Sequence, residues 1–142
     1  MAFDADPENL EVVRRDYPLA PISVHPGSVR QLVEGHHFFG DMHFVHAGGL
    51  LDTLPDAQAT RLVSALFAML QPGGTLVVCT LLEGLGDSGY AEAYMDWHLV
   101  CRTRPALEAL ATGIAEEAIG SVTWLDSPEG TLGALAIERR RA

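Results

Sequence analysis

The sequence contains no lysine, because all nine of its basic residues are arginines, against 19 Asp and Glu. The absence of lysine excludes a Schiff-base lysine and the lysine of a P-loop as sources of chemistry. The net charge of −10 also disfavours phosphate backbones and anionic lipid, which repel so acidic a chain. We therefore expect neither nucleic acid nor a membrane as a partner.

Cysteines and long apolar runs are also scarce. The two cysteines, Cys79 and Cys101, are too few for a disulfide framework, so each is expected to be a small buried hydrophobic residue. No stretch approaches the roughly 18 apolar residues of a spanning helix, and the first residues do not resemble a signal peptide. A reducing cytoplasm is the expected location.

Several catalytic motifs are missing as well. The sequence has no Gly-x-Gly-x-x-Gly, no P-loop and no Gly-x-Ser-x-Gly elbow. Six histidines are present, but His43 and His46 would point to opposite faces of a predicted strand, and no zinc-type spacing accompanies them. We expect no metal site.

Strand-like and helix-like segments alternate along the 142 residues, which suit one domain. Strands are predicted to end at Asp4 and to span residues 22–25, 41–47, 75–82, 121–125 and 131–138. Helices are predicted at residues 7–17, 29–34, 56–70, 90–100 and 104–118, with Asp6 and Asp56 as N-caps. This order predicts an α/β layer fold with a mostly parallel sheet and a C-terminal antiparallel hairpin.

Ligands of such sheets bind outside the carboxyl ends of the strands, where this sequence places glycines and acids. Asp4 could accept two hydrogen bonds from a ribose diol, or could only cap the following helix. Gly48 and Gly49 could let backbone approach a flat ligand, or could only form a tight turn. The residue patterns leave both pairs of alternatives open.

Residues 90–98 combine two tyrosines, a tryptophan, a histidine and two acids after a glycine-rich loop at residues 83–89. Such a patch could line a small-molecule pocket and place His98 or Asp96 as a base. Alternatively, its aromatic side chains could simply cover the sheet.

Several of these segments together resemble a known family. They are Phe3-Asp4-Ala5-Asp6, His25-Pro26-Gly27-Ser28-Val29, the stretch from Asp41 through Gly48-Gly49 to Pro55, and Leu70-Gln71-Pro72-Gly73-Gly74-Thr75-Leu76. Met95, Trp97, Leu99, Arg102 and Thr103 complete a further motif. The chain resembles the class I S-adenosylmethionine-dependent methyltransferases over nearly its whole length, most specifically in the Leu-x-Pro-Gly-Gly-x-Leu entry to a strand.

The resemblance implies a Rossmann-like fold and methyl transfer from S-adenosylmethionine to a small molecule. It implies that the cofactor-binding residues are Asp4 and Ala5 at the ribose, and Gly27, Ser28, Val29, His46, Ala47 and Gly48 around adenine. His98 or Asp96 would assist as a base where the acceptor holds a proton.

Two departures from the family alter this expectation. Ser28 stands where many members carry an acid, and the family's first strand and glycine-rich loop would lie before Met1. We therefore expect residues 1–142 to form a single incomplete domain lacking the first strand. It would be a piece of a longer protein, a shortened relative with impaired cofactor binding, or a chain whose sheet a second copy or partner chain completes. The competing function is a non-catalytic remnant, or an accessory subunit that dimerises.

Overall fold

The computed structural model describes residues 1–84, 93, 96 and 98–141. The chain forms two compact units, Met1–Phe38 and Phe39–Ala142. No helix among the described residues is long and apolar enough to cross a membrane.

The first unit is a small strand–helix–strand–helix arrangement. Its elements are β1 (Ala2–Asp4), α1 (Pro7–Asp16), β2 (Val24–Pro26) and α2 (Val29–Val33). The two strands are parallel, with Ala2 opposite Val24 and Asp4 opposite Pro26. Asp6 caps α1 as predicted, because its carboxylate accepts a hydrogen bond of 2.8 Å from the Glu8 backbone N–H.

The second unit is built on a four-stranded sheet in the order β3-β4-β6-β5. The elements are β3 (Met42–Ala47), α3 (Asp56–Ala68), β4 (Leu70–Leu81), α4 (Arg104–Ala109), β5 (Ile119–Asp126) and β6 (Leu132–Arg139), with short 3-10 helices at Leu51–Thr53, Leu110–Gly113 and Glu116–Ala118. β3 is parallel to β4, whereas β6 is antiparallel to both β4 and β5. The predicted α/β fold with parallel strands and a C-terminal antiparallel hairpin is confirmed.

The core of the second unit lies between α3 and the sheet. The apolar side chains predicted to face inward from a helix at residues 56–70 are all buried: Ala59, Leu62, Val63, Leu66 and Phe67 on α3, and Leu70. The helix itself ends at Ala68, so Leu70 is the first residue of β4. From the sheet, Leu76, Val78, Leu135 and Ile137 are buried, and Leu107 and Leu110 come from the segment that follows residue 103. From Gly74 to Leu81, β4 alternates between buried and half-buried positions.

β4 begins earlier than predicted, at Leu70 and not at Thr75. The Pro72-Gly73-Gly74 sequence bulges within the strand: Met42 of β3 pairs with Leu70, and Phe44 pairs with Thr75. Gly73 has a φ of +79°, and a Cβ on Gly74 would lie 2.6 Å from the Met42 carbonyl oxygen. These glycines therefore let β4 continue through a Pro-Gly-Gly sequence, which ordinarily interrupts a strand.

Two helix predictions were wrong in detail. The helix predicted at residues 104–118 ends at Ala109 and continues as 3-10 turns. Gly113, a residue that disfavours helix, ends the first of these turns, and a Cβ there would clash with the Ser64 side chain on α3. Asp56 does not cap α3: the N-cap is Pro55, and the Asp56 carboxylate instead accepts a hydrogen bond from Arg102.

The helix predicted at residues 90–100 and the loop at 83–89 lie mostly outside the described residues. Residues 98–100 are described and are not helical, so the predicted helix does not reach Val100. Asp96, with a φ of +51°, is also non-helical.

Candidate functional site

Asp4 lies at the carboxyl end of β1, where the chain turns toward α1. Its carboxylate accepts hydrogen bonds from the Asp6 backbone N–H at 2.8 Å and from the Asn9 side-chain amide at 3.3 Å. A carboxylate has about four lone-pair positions. Asp4 therefore supports the local turn and still has accepting capacity, while the adjoining Ala5 is exposed.

The turn after β2 lies beside Asp4, because the Gly27 N–H donates to the Asp4 carbonyl oxygen at 2.9 Å. A Cβ at Gly27 would lie 2.6 Å from the Phe3 ring and 3.0 Å from the His37 imidazole. The two rings meet edge to face with centroids 5.5 Å apart. Glycine is thus required here by the close approach of two aromatic side chains.

Ser28 and Val29 begin α2. Ser28 forms a capping box with Gln31: its Oγ accepts from the Gln31 N–H, and its own N–H donates to the Gln31 side-chain oxygen at 2.8 Å. The hydroxyl also donates to that oxygen at 3.2 Å. The polar groups of Ser28 are therefore committed within the helix start.

In the second unit, His46 and Ala47 end β3, and Gly48 follows the strand. The His46 imidazole lies over Gly48, where a Cβ would come within 2.8 Å of the ring. Its Nε2 is 3.7 Å from the Cys79 Sγ on β4. Burial, with a smaller contribution from Asp52, raises the pKa of the Cys79 thiol. The sulfur therefore keeps its proton and can donate it to Nε2 of His46.

The two predicted catalytic side chains lie next to each other. His98 Nε2 is 3.3 Å from Asp96 Oδ1, and both side chains are largely exposed, at 77% and 97%. A carboxylate at this distance can orient an imidazole and leave Nδ1 available to a proton.

A buried polar network, which the sequence patterns did not predict, lies behind the loop that follows β3. Asp52 accepts hydrogen bonds from the Thr80 hydroxyl at 2.6 Å and the Leu81 N–H at 3.0 Å. Its carbonyl oxygen accepts from the Val100 N–H at 2.8 Å, which attaches the segment carrying His98 to this loop.

Arg102 extends this network and is only 2% exposed. Its guanidinium donates to the carbonyls of Leu51 at 2.7 Å and Leu54 at 2.6 Å, and to the Asp56 carboxylate at 3.0 Å. One feature of the sequence indicates such a network: Asp52 stands among leucines and Arg102 stands in an apolar stretch. Charged side chains are rarely buried without partners, so two charges in apolar segments indicate buried pairing.

The described residues contain no group of three or more His, Cys, Asp or Glu side chains arranged to hold a metal ion. The predicted residues form two sets, one in each unit: Asp4, Ala5, Gly27, Ser28 and Val29 in the first, and His46, Ala47, Gly48, Asp96 and His98 in the second.

No protein-family model matches the chain. Among curated proteins, it is similar to a component of the ion-translocating oxidoreductase complex of Cellvibrio japonicus, with 30% identity over 92 residues. That similarity covers 65% of this chain and 36% of the relative.

Similarity to solved structures extends over almost the whole chain. A possible exported protein from Bordetella parapertussis matches with a TM-score of 0.74 at 18% identity, over 97% of this chain and 52% of that one. An O-methyltransferase family protein from Burkholderia thailandensis matches with a TM-score of 0.70 at 15% identity, over 99% and 43%. A SAM-dependent methyltransferase from Methanosarcina mazei matches with a TM-score of 0.62 at 13% identity, over 98% and 80%.

The chain thus spans about half or less of the first two of these solved structures and most of the third. At these identities the likeness establishes the fold. The chain has the Rossmann-like α/β fold found in S-adenosylmethionine-dependent methyltransferases.

Proposed function

We propose that this chain is a methyltransferase domain that transfers a methyl group from S-adenosylmethionine to a small-molecule acceptor. The observation that carries the proposal is the fold, which matches solved methyltransferases over at least 98% of the chain. The predicted cofactor residues lie at the carboxyl ends of β1, β2 and β3, where α/β sheets bind ligands.

The chemistry of these residues fits the cofactor. Asp4 retains lone pairs beyond its bonds to Asp6 and Asn9, so its carboxylate would accept the ribose hydroxyls. The exposed residue Ala5, next to Asp4, would contribute backbone groups to the ribose site. Around adenine, Gly27, Ser28 and Val29 would contribute packing and backbone, because the polar groups of Ser28 are already used in the capping box.

In the second unit, Ala47 and Gly48 would offer backbone to the ligand. His46 would offer Nδ1, because Nε2 lies 3.7 Å from the Cys79 Sγ. Nδ1 has no hydrogen-bond partner among the described residues. It would therefore be available to a polar atom of the ligand.

Bound S-adenosylmethionine would supply an electrophilic methyl group on its sulfonium. The chain would align the acceptor with that methyl, since transfer depends mainly on proximity and line-up. For an acceptor that holds a proton, His98 would take it at Nδ1, with Asp96 stabilising the resulting imidazolium across the 3.3 Å contact.

Titration calorimetry of the full chain with S-adenosylmethionine and S-adenosylhomocysteine tests this function. We expect saturable binding of both, and about tenfold weaker binding in Asp4→Asn, because a neutral amide accepts ribose hydrogen bonds less strongly. Asp16→Asn, an equal change of charge at the end of α1, is the matched control and should leave the affinity unchanged. Absence of heat for both ligands at millimolar concentration would contradict the proposal.

A second candidate is a non-catalytic accessory subunit whose sheet another chain completes. It is favoured by the open edges of β1 and β3, each of which pairs on one side only within the described residues. Phe44 on β3 is 59% exposed, which is unusual for a large apolar side chain on a strand. A chain that binds neither ligand but sediments as a stable dimer would support this alternative.

A further inference from the structure

The second unit contains a cavity of about 340 Å³ that the proposed methyl transfer does not use. It lies between the end of β4, the start of α4 and the end of β5. Its lining residues are Leu82, Glu83, Arg102, Thr103, Arg104, Trp124 and Asp126. Its volume is at the lower end of small-molecule sites, so it suits a ligand of metabolite size.

Trp124 forms a fixed wall of this cavity. A Cβ at Gly133 on β6 would lie 2.7 Å from the indole Cζ2 and closer still to Cη2, so glycine is required for the ring to rest against the sheet. The Arg104 guanidinium lies over the ring, 4.9 Å from a ring centroid. The indole N–H donates to the Asp126 carboxylate at 2.6 Å. Contacts on several sides therefore fix the ring before any ligand arrives.

The charged groups on the wall differ in how far they are already paired. Arg102 is fully engaged by carbonyl oxygens and by Asp56. Arg104 pairs through Nε with Glu108 at 2.8 Å, but its two terminal nitrogens have no hydrogen-bond partner in the described part of the chain. The Glu83 carboxylate has none there either, and no ion pair joins it to Arg102 or Arg104.

The terminal nitrogens of Arg104 and the carboxylate of Glu83, without hydrogen-bond partners among the described residues, therefore lie on the wall of one cavity with no ion pair between them. We propose that this cavity binds a free amino acid, with its carboxylate on the Arg104 terminal nitrogens and its ammonium on Glu83. A planar guanidinium fork suits a carboxylate, and a carboxylate suits an ammonium. Leu82 and the edge of the Trp124 indole provide apolar surface for the side chain of the amino acid.

Three small probes that differ only in charge test the proposal: L-phenylalanine, 3-phenylpropionate without the ammonium, and phenethylamine without the carboxylate. Each is titrated into the ¹⁵N-labelled full chain while the Trp124 indole N–H resonance is followed, assigned by its persistence in Trp97→Phe. We expect L-phenylalanine to shift this resonance saturably. The other two should bind about tenfold more weakly, because each loses one charge-assisted contact.

Two variants locate the contacts, and both change exposed side chains, so the fold should be retained. Glu83→Gln should weaken L-phenylalanine about tenfold and leave 3-phenylpropionate unchanged, whereas Arg104→Gln should weaken both. Glu129→Gln on the β5–β6 turn and Arg61→Gln on α3 are the matched controls and should have no effect.

The proposal is overturned if L-phenylalanine leaves the resonance unmoved at about 10 mM. Equal binding of L-phenylalanine and 3-phenylpropionate would indicate a simple anion site, which also overturns it. Because no methyl donor is present in these titrations, their failure would leave the proposed methyl transfer unaffected.

Discussion

Individual polar side chains in this protein are positioned by contacts between strands. Cys79 on β4 and His46 on β3 meet across the parallel pair, where the Sγ lies 3.7 Å from Nε2 of the ring. The raised pKa of Cys79 follows first from burial and then from Asp52. Near neutral pH, this cysteine is thus a hydrogen-bond donor and a poor nucleophile.

We expect the Cys79 thiol to react slowly in Cys101→Ser, where it is the only cysteine. Its reaction with a disulfide reagent such as DTNB should be slower than that of glutathione. The increase of the reaction rate with pH should occur at higher pH than for glutathione, because the thiolate is the reacting form. A profile that coincides with that of glutathione would contradict this prediction.

The same shift has a consequence for stability. A thiol whose pKa is raised on folding stabilises the protein fully below its unfolded pKa, about 8.5, and this contribution is lost as pH rises through the folded pKa. The free energy of unfolding of Cys101→Ser should therefore fall above about pH 8.5 more steeply than that of the Cys79→Ala, Cys101→Ser double variant.

At the scale of elements, Arg102 joins segments that are distant in the sequence. Its guanidinium donates hydrogen bonds to the loop after β3, to the first residue of α3 and to the Val100 carbonyl. Its backbone N–H donates to the Leu81 carbonyl at the end of β4. Loops bearing predicted site residues are thus held by a buried side chain whose hydrogen bonds go to oxygen atoms of the protein.

Arg102→Met should lower the free energy of unfolding by about 3 kcal/mol, because a buried acceptor left unpaired costs about 1–3 kcal/mol. Arg102→Lys should recover part of this, since an ammonium can reach only some of the same oxygens. Urea unfolding monitored by circular dichroism measures both. Arg61→Met, an exposed position on α3, should change stability by less than about 0.5 kcal/mol, and an equal loss in Arg61→Met and Arg102→Met would refute the role of Arg102.

At the scale of the whole molecule, the two units differ in how much they bury. In Met1–Phe38, the buried apolar side chains are Leu10 and Leu32, at 4% and 6% exposure, beneath a two-stranded parallel sheet. Segments of fewer than about 40 residues seldom build a self-sufficient core. The second unit has a continuous apolar layer between α3 and its sheet.

We therefore expect amide hydrogen exchange to separate the units. Amides of β1 and β2 should exchange at least about a hundredfold faster than those of β4 and β6, since local opening follows buried apolar contact. Leu32→Ala should accelerate exchange in residues 1–38 alone, while Leu135→Ala should do so across the second sheet. Uniform protection along the chain would show that the units unfold together.

Local patterns were sufficient to predict the helix at Asp56 and its buried face, because helical spacing of apolar residues directly reflects burial. They failed at Gly73 and Gly74, where a bulge against β3 replaces the turn that Pro-Gly-Gly usually indicates. They also missed the bonds of Arg102, whose partners Asp56 and Leu51 lie 46 and 51 residues away. The ribose role of Asp4 and the base role of His98 were suggested by residue patterns and by the family resemblance, and the role of Gly27 by the resemblance; all three stay predictions.

The position of β6 in the sheet has a consequence for synthesis on the ribosome. β6 lies between β4 and β5, although both are translated before it. β5 therefore emerges with no strand beside it until residues 132–139 follow. During that interval the nascent chain presents an unpaired strand that a neighbouring nascent chain on the same message could capture.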